Sequence, residues 1–407
     1  MRSFIFAILL LSISYAATFG YSRVTIERVW TIEDSQNGTF EFNGALVANN
    51  SNQRVVSLST EPEMEYFDPG DGTIHLHYNG TVVNGTMILK ARAIVNVDYN
   101  TNISADGPIP EVELNYTNLT EPDGAISLQA WSLAHEDSSL ATIRDLANWV
   151  HSAVKYDISY WSKSKSAKDV FAERRGVCVE YTHLLISMAR SLGFDTRYVS
   201  GYVQSNSWQP HAWAEIYVPG YGWLPVDATF GQVGILDSSH LAIHYGQDQS
   251  TVYDELLTMN PDASIMVTDD VTAGFFSEDP KGISLSMEVD PQSYIADVKV
   301  ENTRPEYVYG TSTFALPEGY GGTESSIVLL APYESLDIFH GLNHSLIQDG
   351  YAYEIQMAAS FNDAKDKTTL SINESNDWND ENNGTGAASP CPSTILLLIP
   401  AAFMLRR

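Results

Sequence analysis

The stretch Arg174-Arg175-Gly176-Val177-Cys178-Val179-Glu180-Tyr181-Thr182-His183 decides how the middle of this 407-residue chain is interpreted. It places a cysteine directly before an apolar segment. Apolar side chains recur at helical spacing in line with that cysteine, at Tyr181, Leu185, Met188 and Leu192. The pattern predicts a packed helix with Cys178 in its first turn, where free backbone N–H groups and the helix dipole favour a thiolate. A cysteine in that position is suited to be a nucleophile.

A base for this thiol is expected from the segment that follows the helix. Residues 196–204 alternate as a strand does, and residues 211–227 alternate as a hairpin. His211 begins this hairpin and Asp227 ends it, so both are expected at its open end. An imidazole there would accept the thiol proton, and a carboxylate would fix its tautomer and orientation. Pro225 and the turn glycines leave the register open, and a one-residue slip would turn Asp227 to the opposite face from His211.

These segments resemble the transglutaminase-like superfamily in the order and spacing of their motifs. The family pattern consists of a Gly-x-Cys helix start, an Arg-x-Val-x-Gly strand, a His-Ala-Trp-x-Glu strand and a Gly-Trp-x-x-x-Asp return. The chain carries all four, as Gly176-Val177-Cys178, Arg197-Tyr198-Val199-Ser200-Gly201, His211-Ala212-Trp213-Ala214-Glu215 and Gly222-Trp223-Leu224-Pro225-Val226-Asp227. The resemblance covers roughly residues 135–255, and it implies a papain-like thiol fold.

The resemblance also implies a role for each residue of the site. Cys178 would be the nucleophile, His211 the general base and acid, and Asp227 the acid that orients the imidazole. The first oxyanion donor is expected to be the backbone N–H of Cys178. Aromatic side chains are candidates for a second donor or for substrate contact, and spacing does not choose among them: Trp161, Tyr156, Tyr181, Trp213 and also Tyr160.

The predicted fold is multidomain, with an α+β transglutaminase-like (papain-like) core between two β-sandwich (immunoglobulin-like) domains. Short strands over 23–30, 39–42 and 87–97, with Asn-Gly and Asp-Gly turns among them, indicate the first sandwich. Strands separated by Pro- and Gly-rich turns indicate the second. The predicted parts are a signal peptide over 1–17, the N-terminal sandwich over 18–125, the catalytic core over 126–262, the C-terminal sandwich over 263–370, a polar acidic stalk over 371–394 and a hydrophobic, basic-ended tail over 395–407.

Three features predict an extracellular protein attached to the cell surface. Residues 1–17 have the basic start, apolar run and small-residue cleavage site of a signal peptide. The tail around Cys391 resembles the sorting tails of archaeal surface proteins, and we expect it to contact the membrane through a processed Cys391 or a weak anchor. Ten Asn-x-Ser/Thr sequons are candidate glycosylation sites. They are Asn37, Asn49, Asn79, Asn84, Asn102, Asn115, Asn118, Asn343, Asn373 and Asn383.

Charge and motif content argue against several partners. The formal net charge is −29 with only 22 Lys and Arg, so nucleic acid is not expected as a partner. His75 and His77 alternate on a predicted strand with no further His or Cys near them in the sequence, and Asp269-Asp270 is a bare acidic pair. We therefore expect no metal site and no cofactor.

The expected activity is acyl transfer from peptide or amide bonds through a thioester at Cys178, with a peptide or protein as substrate. Water as acceptor would make the enzyme a cysteine peptidase or deamidase, which the resemblance favours. A lysine amine as acceptor would make it a protein-glutamine cross-linking transglutaminase. A further alternative is a non-catalytic surface protein that binds or supports other molecules, in which Cys178 is an ordinary buried side chain.

Overall fold

The computed structural model describes residues 6–9 (backbone only), 20–99, 102–110, 114, 116–161, 164–276, 282–347 and 352–372. The helices are α1 (Gly124–Ser132), α2 (Ser139–Ala153), α3 (Ala167–Glu173) and α4 (Cys178–Ser191), and single 3-10 turns cover Ile158–Tyr160, Gln249–Thr251 and His344–Leu346. The strands are β1 (Phe6–Leu9), β2 (Tyr21–Glu33), β3 (Thr39–Ala48), β4 (Gln53–Glu61), β5 (Glu65–Phe67), β6 (Thr73–Thr81), β7 (Thr86–Val97), β8 (Lys155–Tyr156), β9 (Arg175–Gly176), β10 (Thr196–Gln204), β11 (Trp208–Val218), β12 (Gly222–Asp227), β13 (Gln232–Val233), β14 (His240–Gly246), β15 (Glu255–Thr258), β16 (Ser264–Phe276), β17 (Ile283–Asp290), β18 (Ile295–Asn302), β19 (Val308–Ala315), β20 (Thr323–Leu330), β21 (Ser335–Gly341), β22 (Ala352–Phe361) and β23 (Ala364–Ile372).

The centre of the molecule is an antiparallel sheet in the order β13-β12-β11-β10-β14, and α4 packs on its β11 and β10 strands. Leu184, Leu185 and Met188 of α4 belong to the core between the helices and this sheet. The helix ends where Gly193 adopts a φ of +98°, which glycine does without steric cost. The predicted α+β core is thus a helix packed on a sheet, with Cys178 buried in the first turn of that helix.

The N-terminal part consists of two antiparallel four-stranded sheets, β15-β3-β6-β5 and β16-β2-β7-β4, which share one core. In β2 alternate side chains are buried, as expected for a strand with one face on a core. The strands predicted over 23–30, 39–42 and 87–97 lie within β2, β3 and β7. An immunoglobulin-like topology for this part stays a prediction.

The boundary predicted between residues 262 and 263 does not coincide with the sheet pairing. Strand β16, which lies beyond that boundary, pairs with β2 along its whole length, from Ser264 opposite Glu33 to Phe276 opposite Tyr21. Strand β15 likewise pairs with β3. Residues 255–276 therefore supply one edge strand to each of the N-terminal sheets, β15 next to β3 and β16 next to β2.

The C-terminal part contains the three-stranded sheet β17-β18-β21 and the sheet β1-β22-β19-β20, in which β23 also pairs with β22. Strand β1 lies inside the predicted signal peptide and runs parallel to β22, and the other residues of that prediction up to residue 17 lie outside the described residues. The first two residues of the predicted stalk belong to β23, whereas residues 373–407 also lie outside. In the described part of the chain, no helix has the length and apolarity needed to cross a membrane.

Candidate active site

Cys178 is the first residue of α4, and its side chain is buried. The carboxylate of Glu180 holds the start of this helix, since it accepts hydrogen bonds from the backbone N–H of Val177 at 2.9 Å and of Lys165 at 3.1 Å. Gly176 has no space for a side chain, because a Cβ there would lie 2.2 Å from Cβ of Glu180. A buried, tightly packed turn therefore fixes the backbone position of Cys178.

The pairing of β11 with β12 settles the register that the sequence left open. Ala214 lies opposite Val226 and Val218 lies opposite Gly222. This register turns His211 and Asp227 to the same face at the open end of the hairpin. There, Nε2 of His211 lies 2.7 Å from Oδ2 of Asp227. Asp227 is fully buried and His211 is 7% exposed.

Asp227 is held by hydrogen bonds to both of its carboxylate oxygens. Oδ1 accepts from the backbone N–H of Thr229 at 2.8 Å and of Phe230 at 3.2 Å. Oδ2 accepts from His211 and also from Nε2 of His240, which lies 3.1 Å away. A carboxylate with this many donors has little freedom to rotate, so it fixes the plane of the imidazole it binds.

The charges of the site favour an ionised acid and a basic imidazole. Burial alone would raise the pKa of Asp227, but the two histidines outweigh it and hold that pKa well below its usual range. Burial alone would lower the pKa of His211, but the charge of Asp227 and hydrogen bonds to Asp227 and Cys178 raise it to about 9. Because Nε2 of His211 donates to Asp227, Nδ1 of the neutral ring carries no proton and can act as an acceptor.

The predicted oxyanion candidates occupy different environments. The hydroxyl of Tyr181 donates to the carbonyl of Val154, and the hydroxyl of Tyr160 donates to Glu173 at 2.5 Å. Trp213 is fully buried beside His211, with ring centroids 6.0 Å apart, and its indole N–H has no acceptor in the described part of the chain. Trp161 is 54% exposed, at the end of the 3-10 turn.

Tyr156 is the candidate that the structure brings toward the cysteine. It lies in β8, opposite Gly176 of β9. Burial and then the charge of Cys178 raise the pKa of Tyr156, while its side chain is half-exposed. Its hydroxyl is therefore neutral, and among the predicted aromatic candidates Tyr156 is the one whose pKa depends on Cys178.

Two residues near the site were missed by the sequence analysis. Phe230 stacks on the imidazole of His211, with ring centroids 5.0 Å apart, although its own side chain is 44% exposed. His240 is fully buried against Asp227. The signal for His240 was its position at the start of an alternating segment after the hairpin, and the sequence alone does not show that this segment returns to the edge of β10.

The expected absence of a metal site stays a prediction, and one cluster bears on it. Among the described residues, His211, Asp227 and His240 place one ligand atom each within 4.8 Å of the others. The direct hydrogen bond of 2.7 Å between His211 and Asp227 is shorter than the separation of ligand atoms around a tetrahedral zinc ion, which is about 3.3 Å for bonds of about 2.0 Å. The arrangement as it stands is a hydrogen-bonded cluster.

The candidate glycosylation sites are exposed wherever the structure describes them. The exposed ones are Asn37, Asn49, Asn79, Asn84, Asn102, Asn118 and Asn343. Asn115, Asn373 and Asn383 lie outside the described residues. Exposure is the condition that modification requires, so glycosylation stays a prediction at these positions.

A helix-terminal cysteine followed by a hairpin that pairs histidine with aspartate defines a class of thiol enzymes, and the comparison with known families agrees. Residues 129–228 match the model of the Transglutaminase-like superfamily. The chain therefore carries a domain of the transglutaminase-like superfamily, and the resemblance seen in the sequence is confirmed for this region.

Similar proteins include two mycobacterial ones. An "Uncharacterized protein" of Mycobacterium tuberculosis is 26% identical over 156 residues, which is 35% of this chain and 48% of that protein. An "Uncharacterized protein" of Mycobacterium leprae is 29% identical over 115 residues, which is 26% of this chain and 40% of that protein. The chain thus spans about half the length of these curated relatives or less.

Solved structures with partial similarity include one titled "a Putative Cysteine Protease from Cytophaga hutchinsonii". It is 20% identical with a TM-score of 0.47, and the match covers 64% of this chain and 93% of that chain. Red sea bream transglutaminase is 11% identical with a TM-score of 0.22, over 85% of this chain and 77% of that chain.

Proposed function

We propose that this protein is a cysteine-dependent enzyme that cleaves peptide or amide bonds through a thioester on Cys178. The observation that carries the proposal is the imidazole of His211, which is bound to Asp227 at 2.7 Å through Nε2 and whose pKa is raised, against the effect of burial, by Asp227 and also by Cys178. This arrangement provides a nucleophile, a base and an orienting acid in one buried cluster.

The reaction begins when Nδ1 of His211 takes the thiol proton and the sulfur of Cys178 attacks the carbonyl carbon. The negative charge that develops on the carbonyl oxygen faces the backbone N–H of Cys178 at the start of α4, and the hydroxyl of Tyr156 is the second donor. His211 then gives its proton to the amine as the C–N bond breaks, and the acyl group remains on sulfur. Asp227 stabilises the imidazolium throughout.

Water resolves the thioester in the second half of the reaction. His211 removes a proton from water as its oxygen attacks the thioester carbon, and the C–S bond breaks to give a carboxylic acid and the free thiol. We favour water over an amine acceptor because water needs no binding surface of its own beside the buried cluster. The alternative, transfer to a lysine amine, would form a cross-link from the same thioester.

The proposal also places the enzyme outside the cell, where its substrates would be surface or secreted polypeptides. The support is the exposure of the seven described sequons and the signal-like composition of residues 1–17. Intact mass of the protein isolated from its own host is expected to show a shortened N-terminus and added glycan. A mass equal to that of the unmodified chain would remove this location from the proposal.

Substitution of the nucleophile tests the proposed chemistry. We expect Cys178→Ala to abolish hydrolysis of a fluorogenic peptide library, because no other side chain of the cluster can form the thioester. Intact mass spectrometry of the wild type after rapid quenching is expected to show the added acyl mass. Ser191→Ala, at the other end of α4, is the matched control and should behave like the wild type.

Two results would contradict the scheme. Undiminished turnover by Cys178→Ala would exclude the nucleophile, and incorporation of a fluorescent amine into a glutamine-bearing protein, without hydrolysis, would replace the hydrolase with a cross-linking enzyme. If the wild type neither hydrolysed peptides nor reacted with iodoacetamide near neutral pH, the alternative of a non-catalytic binding or structural protein would replace the enzyme.

A further inference from the structure

We propose that His240 is a second histidine of the site, held as an imidazolium, and that it positions Asp227 for the proton transfers of His211. The role in proton transfer rests on the proposed function, whereas the hydrogen bonds of His240 do not depend on it. His240 does not contact Cys178 in this scheme. It is a positioning residue, which acts on the nucleophile through Asp227 and His211.

The oxygens around the His240 ring require a proton on each nitrogen. Nε2 lies 3.1 Å from Oδ2 of Asp227. Nδ1 lies 3.1 Å from the backbone oxygen of Asp237 and 3.2 Å from Oδ1 of the same residue. A carbonyl oxygen and a carboxylate oxygen are acceptors only, so both ring nitrogens must donate. Only the protonated imidazolium does this, and its burial is complete.

Asp237 is itself fixed, which gives the imidazolium a rigid support. Its Oδ2 accepts from Nε2 of Gln232 at 2.9 Å, and its Oδ1 accepts from the backbone N–H of Ser239 at 3.0 Å and from the Ser239 hydroxyl. Gln232 belongs to β13, which pairs with the end of β12 that carries Asp227. The two carboxylates therefore hold His240 from the end of β12 and from the loop between β13 and β14.

Among the described residues, the other rings that contact His240 are those of three aromatic side chains and of His211. The ring of Trp213 lies edge-on with its centroid at 5.3 Å, that of Phe230 at 6.0 Å and that of Tyr99 at 6.4 Å. Burial raises the pKa of Tyr99 well above its ordinary value, so its hydroxyl is neutral. The His211 ring lies 5.7 Å away, and Asp227 stands between the two histidines.

The electrostatic direction agrees with the geometry. Burial alone would lower the pKa of His240, but the charge of Asp237 and hydrogen bonds to Asp227 and Asp237 raise it to about 10. The pKa of Asp237 is lowered to about 2. His240 and Asp237 thus form a neutral pair behind Asp227, and the pair gives Asp227 a second donor without adding net charge to the site.

The wild-type protein allows a direct test of the protonation state. In the full chain labelled with nitrogen-15 histidine, we expect both ring nitrogens of His240 to carry protons from pH 5.5 to pH 8.5. A neutral His240 at pH 7, with one unprotonated ring nitrogen, would overturn the proposal. The proposal would also be overturned, in favour of a metal site, if His240 had an unprotonated ring nitrogen only in protein with bound metal and EDTA restored the proton.

Two substitutions test separately the hydrogen bond from His240 to Asp227 and the positive charge of His240. His240→Gln keeps an N–H near the Nε2 position that donates to Asp227, whereas His240→Asn places its amide near Asp237 instead. The rate of Cys178 alkylation by iodoacetamide is measured against pH. We expect the midpoint to move to higher pH in both variants, because the negative charge of Asp237 is left without its partner and disfavours a thiolate.

The peptide hydrolysis rate is expected to distinguish the two variants. His240→Asn should lose roughly tenfold or more, as is typical when a partner that orients a reactive side chain is removed, while His240→Gln retains most of the rate. His244→Gln, on the same strand, is the control and should leave the alkylation midpoint unchanged. An unmoved midpoint in His240→Gln would refute the proposal, as would equal rates for the two variants. Both nitrogen-15 and alkylation readings need no substrate, so a wild type without hydrolytic activity would refute the proposed function alone.

Discussion

Two histidines on β14, four residues apart, differ in the direction of their pKa shifts. His240 at the start of the strand has its pKa raised to about 10. His244 near the end of the same strand has its pKa lowered to about 4. Both are removed from water to a large extent, and burial penalises the cation in both. Because burial lowers the pKa of both histidines, the difference between them comes from the groups that face each ring.

The surroundings of His244 contain few groups that favour a cation. Its ring meets the edge of His75 at a centroid distance of 5.3 Å. Burial is the largest cause of its lowered pKa, and the charge of His75 lowers it further, while Asp254 and Asp71 raise it and Arg28 makes a smaller contribution that lowers it. At the other end of the strand, two carboxylates accept hydrogen bonds directly from His240. The hydrogen-bond acceptors are thus assembled at the start of β14, the end that lies in the candidate active site.

The largest effect is expected from removing the charge of the acceptor that the two site histidines share. Asp227→Asn would place an uncharged amide oxygen or an amide nitrogen opposite the two N–H donors of His211 and His240, so the tautomer of His211 that accepts the thiol proton would lose its support. We expect turnover to fall roughly a thousandfold to ten-thousandfold, the loss known for the same change in an analogous triad. Steady-state peptide hydrolysis measures it.

The matched control lies at the His244 end. Asp71 accepts a hydrogen bond from the backbone N–H of Thr73 at 2.7 Å, and its carboxylate lies 3.6 Å from Nε2 of His75. Asp71→Asn makes the same chemical change beside the other pair of histidines and should leave hydrolysis unchanged. A similar loss of hydrolysis in Asp71→Asn and Asp227→Asn would mean that Asp227 acts through the stability of the whole fold. The contrast between the two ends of β14 would then disappear.

Part of the candidate site was predictable from the sequence. Cys178, His211 and Asp227 follow from local patterns, namely a helix start and the two ends of one hairpin, and their short separation along the chain brings them together. The register was open because Pro225 and glycine disturb the alternation, and pairing with β13 as well as β11 settles it. His240 was not predictable, because its contact with Asp227 depends on β14 returning to the edge of β10.

The return of β16 to the N-terminal sheet shows the same limit on a larger scale. The pair Asp269-Asp270 lies in the middle of that strand, opposite Arg28 and Glu27. Asp269 binds Nε of Arg28 at 2.9 Å, and the hydroxyl of Tyr202 donates to its other oxygen at 2.5 Å. Alternation within residues 264–276 indicates a strand, but pairing across more than two hundred residues leaves no local signal.

The second effect in size concerns the position of the strand that carries both histidines. Gly201 lies where β10 meets β14, and a Cβ there would lie 2.2 Å from the backbone oxygen of Leu241. Gly201→Ala must therefore push β14 away from β10. We expect a loss of about 1–3 kcal/mol in the free energy of unfolding, measured by urea denaturation, together with slower alkylation of Cys178 as His240 moves.

Gly341→Ala is the control for this substitution. A Cβ at Gly341 would meet no atom within 4 Å, and the residue lies at the end of an exposed strand. We expect its unfolding free energy to stay within about 0.5 kcal/mol of the wild type. If Gly201→Ala were equally harmless, the close approach of β10 and β14 would not be what places His240.

The smallest effect concerns the pH dependence of stability, for which the two histidines have opposite signs. His240 stabilises the fold fully below its ordinary pKa of 6.5, and this contribution is lost as the pH rises toward 10. His244, with its pKa lowered from 6.5 to about 4, binds a proton more readily when unfolded. It therefore destabilises the fold as the pH falls through 6.5 toward 4.

His244→Gln is expected to remove that acid penalty. The variant should be more stable relative to the wild type at pH 5 than at pH 8, by about 1 kcal/mol, a figure kept low because the side chain is only partly buried. Comparing the difference between the two pH values cancels any packing change that the substitution causes at both. His240→Gln should show the opposite trend, since it removes a group that stabilises the fold at pH 5 more than at pH 8. If His244→Gln were instead relatively less stable at pH 5, His244 would be charged in the folded protein, and the two ends of β14 would not differ in the way their acceptors indicate.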